Sequence, residues 1–94
     1  MESFVELMTN VTKVQFKLIL TSLSNKQKRL IKEIIHNVLH GGVELSATDR
    51  AYIRRYRHFL RQFTRRQGEI SKHINLFLYI FRLVRKQMQC NEVC

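Results

Sequence analysis

Residues 24–42, SNKQKRLIKEIIHNVLHGG, spell out one helix together with both of its ends. Ser24 and Gln27 stand at the Ser-x-x-Gln spacing of a capping box, in which hydroxyl and amide satisfy the orphan N–H groups reciprocally. Leu30, Ile31, Ile34, Ile35, Val38 and Leu39 then recur as doublets one turn apart, which makes a wide apolar face. Lys26, Lys28, Arg29, Lys32 and His36 point elsewhere. Gly41-Gly42 stops the run, because glycine takes the left-handed C-cap without Cβ strain. A helix over about 25–40 follows, and the rest of the chain agrees with it. Pro is absent and Gly occurs three times in 94 residues, so little interrupts a helix.

Toward the N-terminus, Phe4, Leu7, Met8, Val11, Val14, Leu18 and Ile19 recur at three- and four-residue steps and read as one stripe. They predict a helix over about 3–22, weakened in its middle by the β-branched Thr9, Val11, Thr12 and Val14. Toward the C-terminus, Val43 and Leu45 are spaced to anchor a short connector, and Ser46 with Asp49 reads as the next N-cap. The third helix is expected over about 46–66, where Gln67-Gly68 breaks the pattern, and a fourth over about 69–89. The fold class is therefore all-α: a small bundle of four helices in a single domain spanning 1–94, with 90–94 a frayed tail.

Charge is lopsided, with 17 Lys and Arg against seven Asp and Glu for a formal +10. Such a charge costs self-repulsion in the folded state unless an anion relieves it. The excess is concentrated between residues 41 and 68, where seven arginines meet only Glu44 and Asp49. No N-terminal segment has the order of a signal peptide. The longest stretch without charge, Ile74 to Phe81, falls far short of the roughly 18–20 residues that span a bilayer. Cys90 and Cys94 sit too close together to staple a fold, which fits a reducing compartment. These features place the protein inside the cell, in the nucleus or a virion, and not among secreted or transmembrane proteins.

On a wheel with Arg50 at zero, Arg54 falls at about 40°, Arg57 at −20°, Arg61 at 20° and Arg65 at 60°. Five guanidiniums therefore share one stripe about 80° wide and about 22 Å long. Tyr52, Ile53, Tyr56, Phe59, Leu60 and Phe63 lie almost opposite, and Arg55, His58 and Arg66 widen the basic face on one flank. Like charges at i, i+4 repel, and no acidic residue between Arg50 and Arg66 offsets them. A merely solvated face usually mixes signs. Arginine in place of lysine also suits phosphate, whose oxygens its planar fork takes two at a time.

The stripe points to nucleic acid, double-stranded DNA before RNA, held with little sequence preference. Lys26, Lys28, Arg29 and Lys32 of the second helix would extend the surface. The second and third helices are placed for a loose helix-turn-helix, although Gly41 to Leu45 exceeds the usual three or four connecting residues. The stripe carries no Asn or Gln for reading adenine, since Gln62 lies off it. The rival reading is a protein–protein adaptor or virion structural component whose basic face meets an acidic partner.

The run Asn37-Val38-Leu39, Gly41, Val43, Leu45-Ser46, then Arg54-Arg55-Tyr56-Arg57 and Leu60-Arg61, resembles small basic proteins of Maverick/Polinton-type elements and related double-stranded DNA viruses. The resemblance covers roughly residues 26–66. It implies a DNA-associated, core or packaging role. Where that family carries a lysine-rich tail, this chain has an apolar helix and two Cys, which implies an added oligomerisation or partner surface.

That fourth helix shows Ile70, Ile74, Phe77, Phe81, Val84 and Met88 in a near-heptad, broadened by Leu76, Leu78, Ile80 and Leu83. In a domain this small, one helix cannot be enclosed on every side by three others. Either this helix is central, or its excess surface is an interface. The interface is preferred, formed by Leu76, Phe77, Ile80, Phe81, Leu83 and Val84 in a homo-oligomer. Tyr79, Arg82, Arg85 and Lys86 give it a polar margin.

Catalysis and metal binding find little support. Asp49, the chain's one Asp, is explained as a cap, and no Gly-rich phosphate loop, carboxylate pair or nucleophile–base set occurs. The chain is read as a non-enzyme with no cofactor and no small-molecule substrate. His36 and His40 are one turn apart, as are Cys90 and Cys94, but no spacing brings the two pairs together as a zinc site.

Overall fold

The computed structural model describes residues 2–63 and 72–93. Among these the chain forms six α-helices and no strand: α1 (Glu2–Asn10), α2 (Lys13–Thr21), α3 (Asn25–Leu39), α4 (Ala47–Arg55), α5 (Arg57–Arg61) and α6 (Ile74–Val93). The all-α class holds, but two of the four expected helices are each broken in two.

The helix read from residues 24–42 is built as its sequence specifies. Ser24 Oγ accepts the Gln27 N–H at 3.2 Å, and Gln27 Oε1 accepts the Ser24 N–H at 3.0 Å. Ile31, Ile34, Ile35 and Val38 are buried. At the other end Gly41 takes φ +83°, and the Gly42 N–H donates to the Asn37 carbonyl at 2.7 Å, closing a Schellman turn. A side chain at Gly41 would be strained there.

The first expected helix breaks at Val11-Thr12. Thr12 leaves the helical region (φ −67°, ψ 162°) and caps a new helix. Its Oγ1 accepts the Gln15 N–H at 3.2 Å, while Gln15 Oε1 accepts the Thr12 N–H at 2.9 Å. This is a second capping box, Thr-x-x-Gln, worth about 1 kcal/mol to the helix it starts. Just before it, Thr9 Oγ1 donates to the carbonyls of Val5 (3.0 Å) and Glu6 (3.1 Å), drawing on the backbone where α1 ends. The break resets the helical phase, so one continuous stripe is not what packs. α1 buries Phe4, Val5 and Met8, and α2 buries Phe16 and Leu20. Leu7, Val14 and Leu18, expected in the core, are left 47%, 71% and 62% exposed.

The third expected helix tightens at Tyr56 (φ −106°, ψ 9°), whose N–H donates three residues back to the Ile53 carbonyl at 3.0 Å. The helix resumes at once as α5 and ends at Arg61. Gln62 and Phe63 are turn where helix was expected, and the rest of the expected continuation to 66, with Arg65, Arg66 and the Gln67-Gly68 break, lies outside the described residues.

The last helix is α-helical from Ile74, after a 3₁₀ turn at 72–73, to Val93, through most of the expected tail; its expected start at 69 lies outside the described residues. It is the centre of the molecule. Phe81 meets Phe4 and Phe16 edge to face at 5.7 and 5.8 Å, and Phe77 meets Phe59 and Phe63 at 6.1 and 5.7 Å. Leu76, Phe77, Ile80, Phe81 and Val84 are all buried within this one chain, at 6% exposure or less. The interface assigned to Leu76, Phe77, Ile80, Phe81, Leu83 and Val84 is therefore corrected. Five of the six are core, and Leu83 is half-buried against that core. α1, α2 and α3 pack on α6, and rings of α4 and α5 reach it at Tyr79 and Phe77, so the other helices of the same chain cover it.

Candidate polyanion-binding surface

α4 starts where Ser46 Oγ accepts the Asp49 N–H at 3.2 Å, which fixes the rotation of the helix that carries the arginines. Arg50, Arg54 and Arg57 are all exposed and line one open groove of about 430 Å³. Its other wall comes from the end of α3 (Val38, Leu39) and the connector (Gly41, Val43, Glu44, Leu45), with Ile53 beneath. Arg50 Nη2 donates to the Leu45 carbonyl at 3.3 Å, which leans this guanidinium over the connector. Three of the five predicted stripe arginines are thus brought together. Arg61 is exposed but does not line the groove, Arg55 is exposed on the flank, and Arg65 lies outside the described residues.

On α3, Lys26, Arg29 and Lys32 are exposed and Lys28 is half-buried. Arg29 and Lys32 line a second hollow of about 460 Å³ with Glu33, His36 and Asn37. Around the α3 axis, Lys28, Lys32 and Leu39 fall within about 40° of one another. The two lysines therefore run along the flank that ends, about two to three turns on, in the arginine groove.

Glu44 lines the groove with the arginines, whereas Asp49, next in sequence to Arg50, is tied to α6. The Tyr79 hydroxyl donates to Asp49 Oδ1, tying α4 to α6. That hydrogen bond, aided by those from Ser46, holds the Asp49 carboxyl below the usual carboxylate range against the opposing effect of burial. The same bond, with burial second, pushes Tyr79 up to about 12. Around this latch runs a seam of rings. Tyr79 lies 4.3 Å from Tyr52, Tyr52 5.4 Å from Tyr56, Tyr56 5.8 Å from His73, and His73 4.3 Å from Phe59. Tyr79 had read as a polar margin and Asp49 as a cap alone; a contact 30 residues apart has no periodic signal. Arg85 is committed inward as well, its Nη1 donating at 3.0 Å to both Thr9 Oγ1 and Asn10 Oδ1.

The latch gives a signed pH dependence. Because the folded pKa of Tyr79 is raised, its contribution is full below its unfolded value of about 10 and is lost as pH climbs toward about 12. Asp49, depressed, contributes above its ordinary 3.8 and fails as pH drops through its lower folded value. Tyr79→Phe should therefore cost about 1 kcal/mol at neutral pH, and should flatten the loss of stability above pH ~10. Urea midpoints followed by far-UV circular dichroism across that range check this; parallel curves for the two proteins would remove the latch from the account.

All six Phe and all three Tyr of the chain pack against another ring of the same molecule. The groove is accordingly lined by cationic and aliphatic side chains, with Glu44 the one carboxylate among them. His36 on α3 and the C-cap His40 lie 4.4 Å apart between ring centres, their planes tilted by 39°. Among the described residues no three His, Cys, Asp or Glu side chains cluster as metal ligands, and no helix is long and apolar enough to cross a membrane. The chain matches no family model, no curated protein and no solved structure.

Proposed function

We propose that this protein binds nucleic acid, duplex DNA first, through its phosphates and with little preference for sequence. The observation that carries this reading is the convergence of Arg50, Arg54 and Arg57 on one open groove while the neighbouring Asp49 is turned away to Tyr79. Lys28 and Lys32 continue the positive surface along α3, and Lys26, Arg29, Arg55 and Arg61 widen it. Guanidinium contacts to phosphate position a protein without reading bases, and the packing of every Phe and Tyr ring against another ring argues against a base-stacking platform. A nuclear or virion-core role for a small basic protein accords with the resemblance noted above.

One observation favours a second reading. Leu7, Val14 and Leu18 expose apolar surface on α1 and α2, which suits an adaptor that meets a protein there and an acidic partner at the groove. The two readings separate at purification. A nucleic-acid-binding protein should emerge carrying absorbance at 260 nm that nuclease or high salt removes. Protein that emerges clean, and binds no labelled duplex at about 50 mM salt, would overturn the first reading in favour of the second.

A further inference from the structure

The last turn of α3 presents two imidazoles to solvent. His36 and the C-cap His40 are both exposed, with ring centres 4.4 Å apart and planes tilted by 39°. Neutral imidazole is the commonest side-chain ligand of transition metals. Its nitrogens bond zinc at about 2.0–2.1 Å, so two of them on one ion stand about 3 Å apart. Exposed rings whose centres already lie 4.4 Å apart reach that separation by small rotations. The i, i+4 spacing matters because it holds both rings on one face of one helix, which an unfolded chain does not do. We propose that His36 and His40 chelate one divalent transition ion, of the nickel, copper or zinc class, at the C-terminal turn of α3.

The turn admits a cation although the chain carries a formal +10. The carbonyls ending this 15-residue helix carry partial negative charge, which favours a cation within the last turn. Glu33 lines the same hollow as His36 and stands one turn before it. Lys32 and Arg29 lie farther back, about 6 and 10.5 Å along the axis from His36. Among the described residues no third His, Cys, Asp or Glu completes a ligand set. Water therefore holds the remaining positions, and the ion is exchangeable. Nitrogen ligands suit nickel, copper and zinc, whereas magnesium and calcium take oxygen. Chelation also has a structural consequence. His40 immediately precedes Gly41, whose left-handed turn starts the connector that walls the arginine groove. An ion across His36 and His40 ties that cap to the turn before it, and stabilises the folded chain by mass action.

The test is isothermal titration of Ni²⁺ into the full chain, free of any affinity tag. One equivalent should bind. His36→Ala and His40→Ala should each weaken binding at least about tenfold, since losing even an outer-shell partner of a metal ligand costs about 10–100-fold. Both positions are exposed and alanine favours the helix, so these variants should fold. His58→Ala should bind as wild type does, and so should Cys90→Ser combined with Cys94→Ser. With Ni²⁺ at about 100 times its Kd, thermal melts should show the folded-to-unfolded ratio of wild type raised about 100-fold, and that of His36→Ala little changed. Absence of saturable binding below about 1 mM overturns the proposal. Full affinity in the two histidine variants overturns it as well, as does loss of affinity in the His58 or cysteine variants. A melt unmoved by Ni²⁺ also overturns it, because the ion would then bind without needing the helix.

Discussion

Ile80→Glu is expected to abolish the folded state, and Phe77→Glu to do the same. Both side chains are fully buried, and Phe77 lies between Phe59 and Phe63. Losing either apolar group costs about 2–5 kcal/mol, as large-to-small changes in other cores do. The carboxylate adds several kcal/mol more, because among the described residues every buried one is apolar and none offers a partner charge. A chain of this length holds in all about 5–14 kcal/mol. The sum reaches that reserve, so thermal melts followed by far-UV circular dichroism should show no cooperative transition. Val14→Glu, on a side chain 71% exposed, is the contrast and should move stability by no more than about 0.5 kcal/mol. Were Ile80→Glu to remain folded and sediment at a lower mass than wild type, α6 would be an interface after all.

This expectation reverses the sequence reading, for a definite reason. An apolar circumference says that a helix must be covered; it does not say by whose atoms. For α6 the cover is the chain itself, α3 together with short segments whose breaks carry only faint signals. Thr12-x-x-Gln15 has the same box spacing as Ser24-x-x-Gln27. It lies inside an unbroken run of three- and four-residue apolar steps, and the longer pattern overrode the cap. The result was an error of phase, with Leu7, Val14 and Leu18 assigned inward while Phe16 and Leu20 went unnoticed. α3 carried no such conflict: cap, doublets and glycine stop all fall within one local stretch and agree.

The candidate site divides along the same line. The arginine stripe was legible because residues i, i+4 and i+7 repeat at the helical period, and the structure brings Arg50, Arg54 and Arg57 onto one groove. The opposite wall was not legible, since it needs α3 and the connector to fold back beside α4. The Asp49–Tyr79 bond was equally hidden, 30 residues apart on two helices. What holds the arginine helix in place is thus long-range, while what it displays is local.

That division makes the display separable from the fold. The triple variant Arg50→Ala, Arg54→Ala, Arg57→Ala should remain folded and lose most of the salt dependence of DNA binding. All three side chains are exposed, and removing like charges one turn apart relieves repulsion rather than breaking a core contact. If wild type neutralises about five phosphates, log K against log[salt] falls with a slope of roughly −4.5, from about −0.9 per phosphate. Its affinity then drops about 500-fold between 50 and 200 mM salt. Removing three contacts leaves a slope near −1.8, and a drop of only about tenfold over the same interval. Single changes at Arg54 or Arg57 should each shallow the slope by about one unit, and should do so equally on unrelated duplexes. Loss confined to one sequence would mean that base edges are being read instead. A triple variant that melts as wild type does and keeps the full slope would place the polyanion on other residues, with α3 and its lysines the next surface to strip.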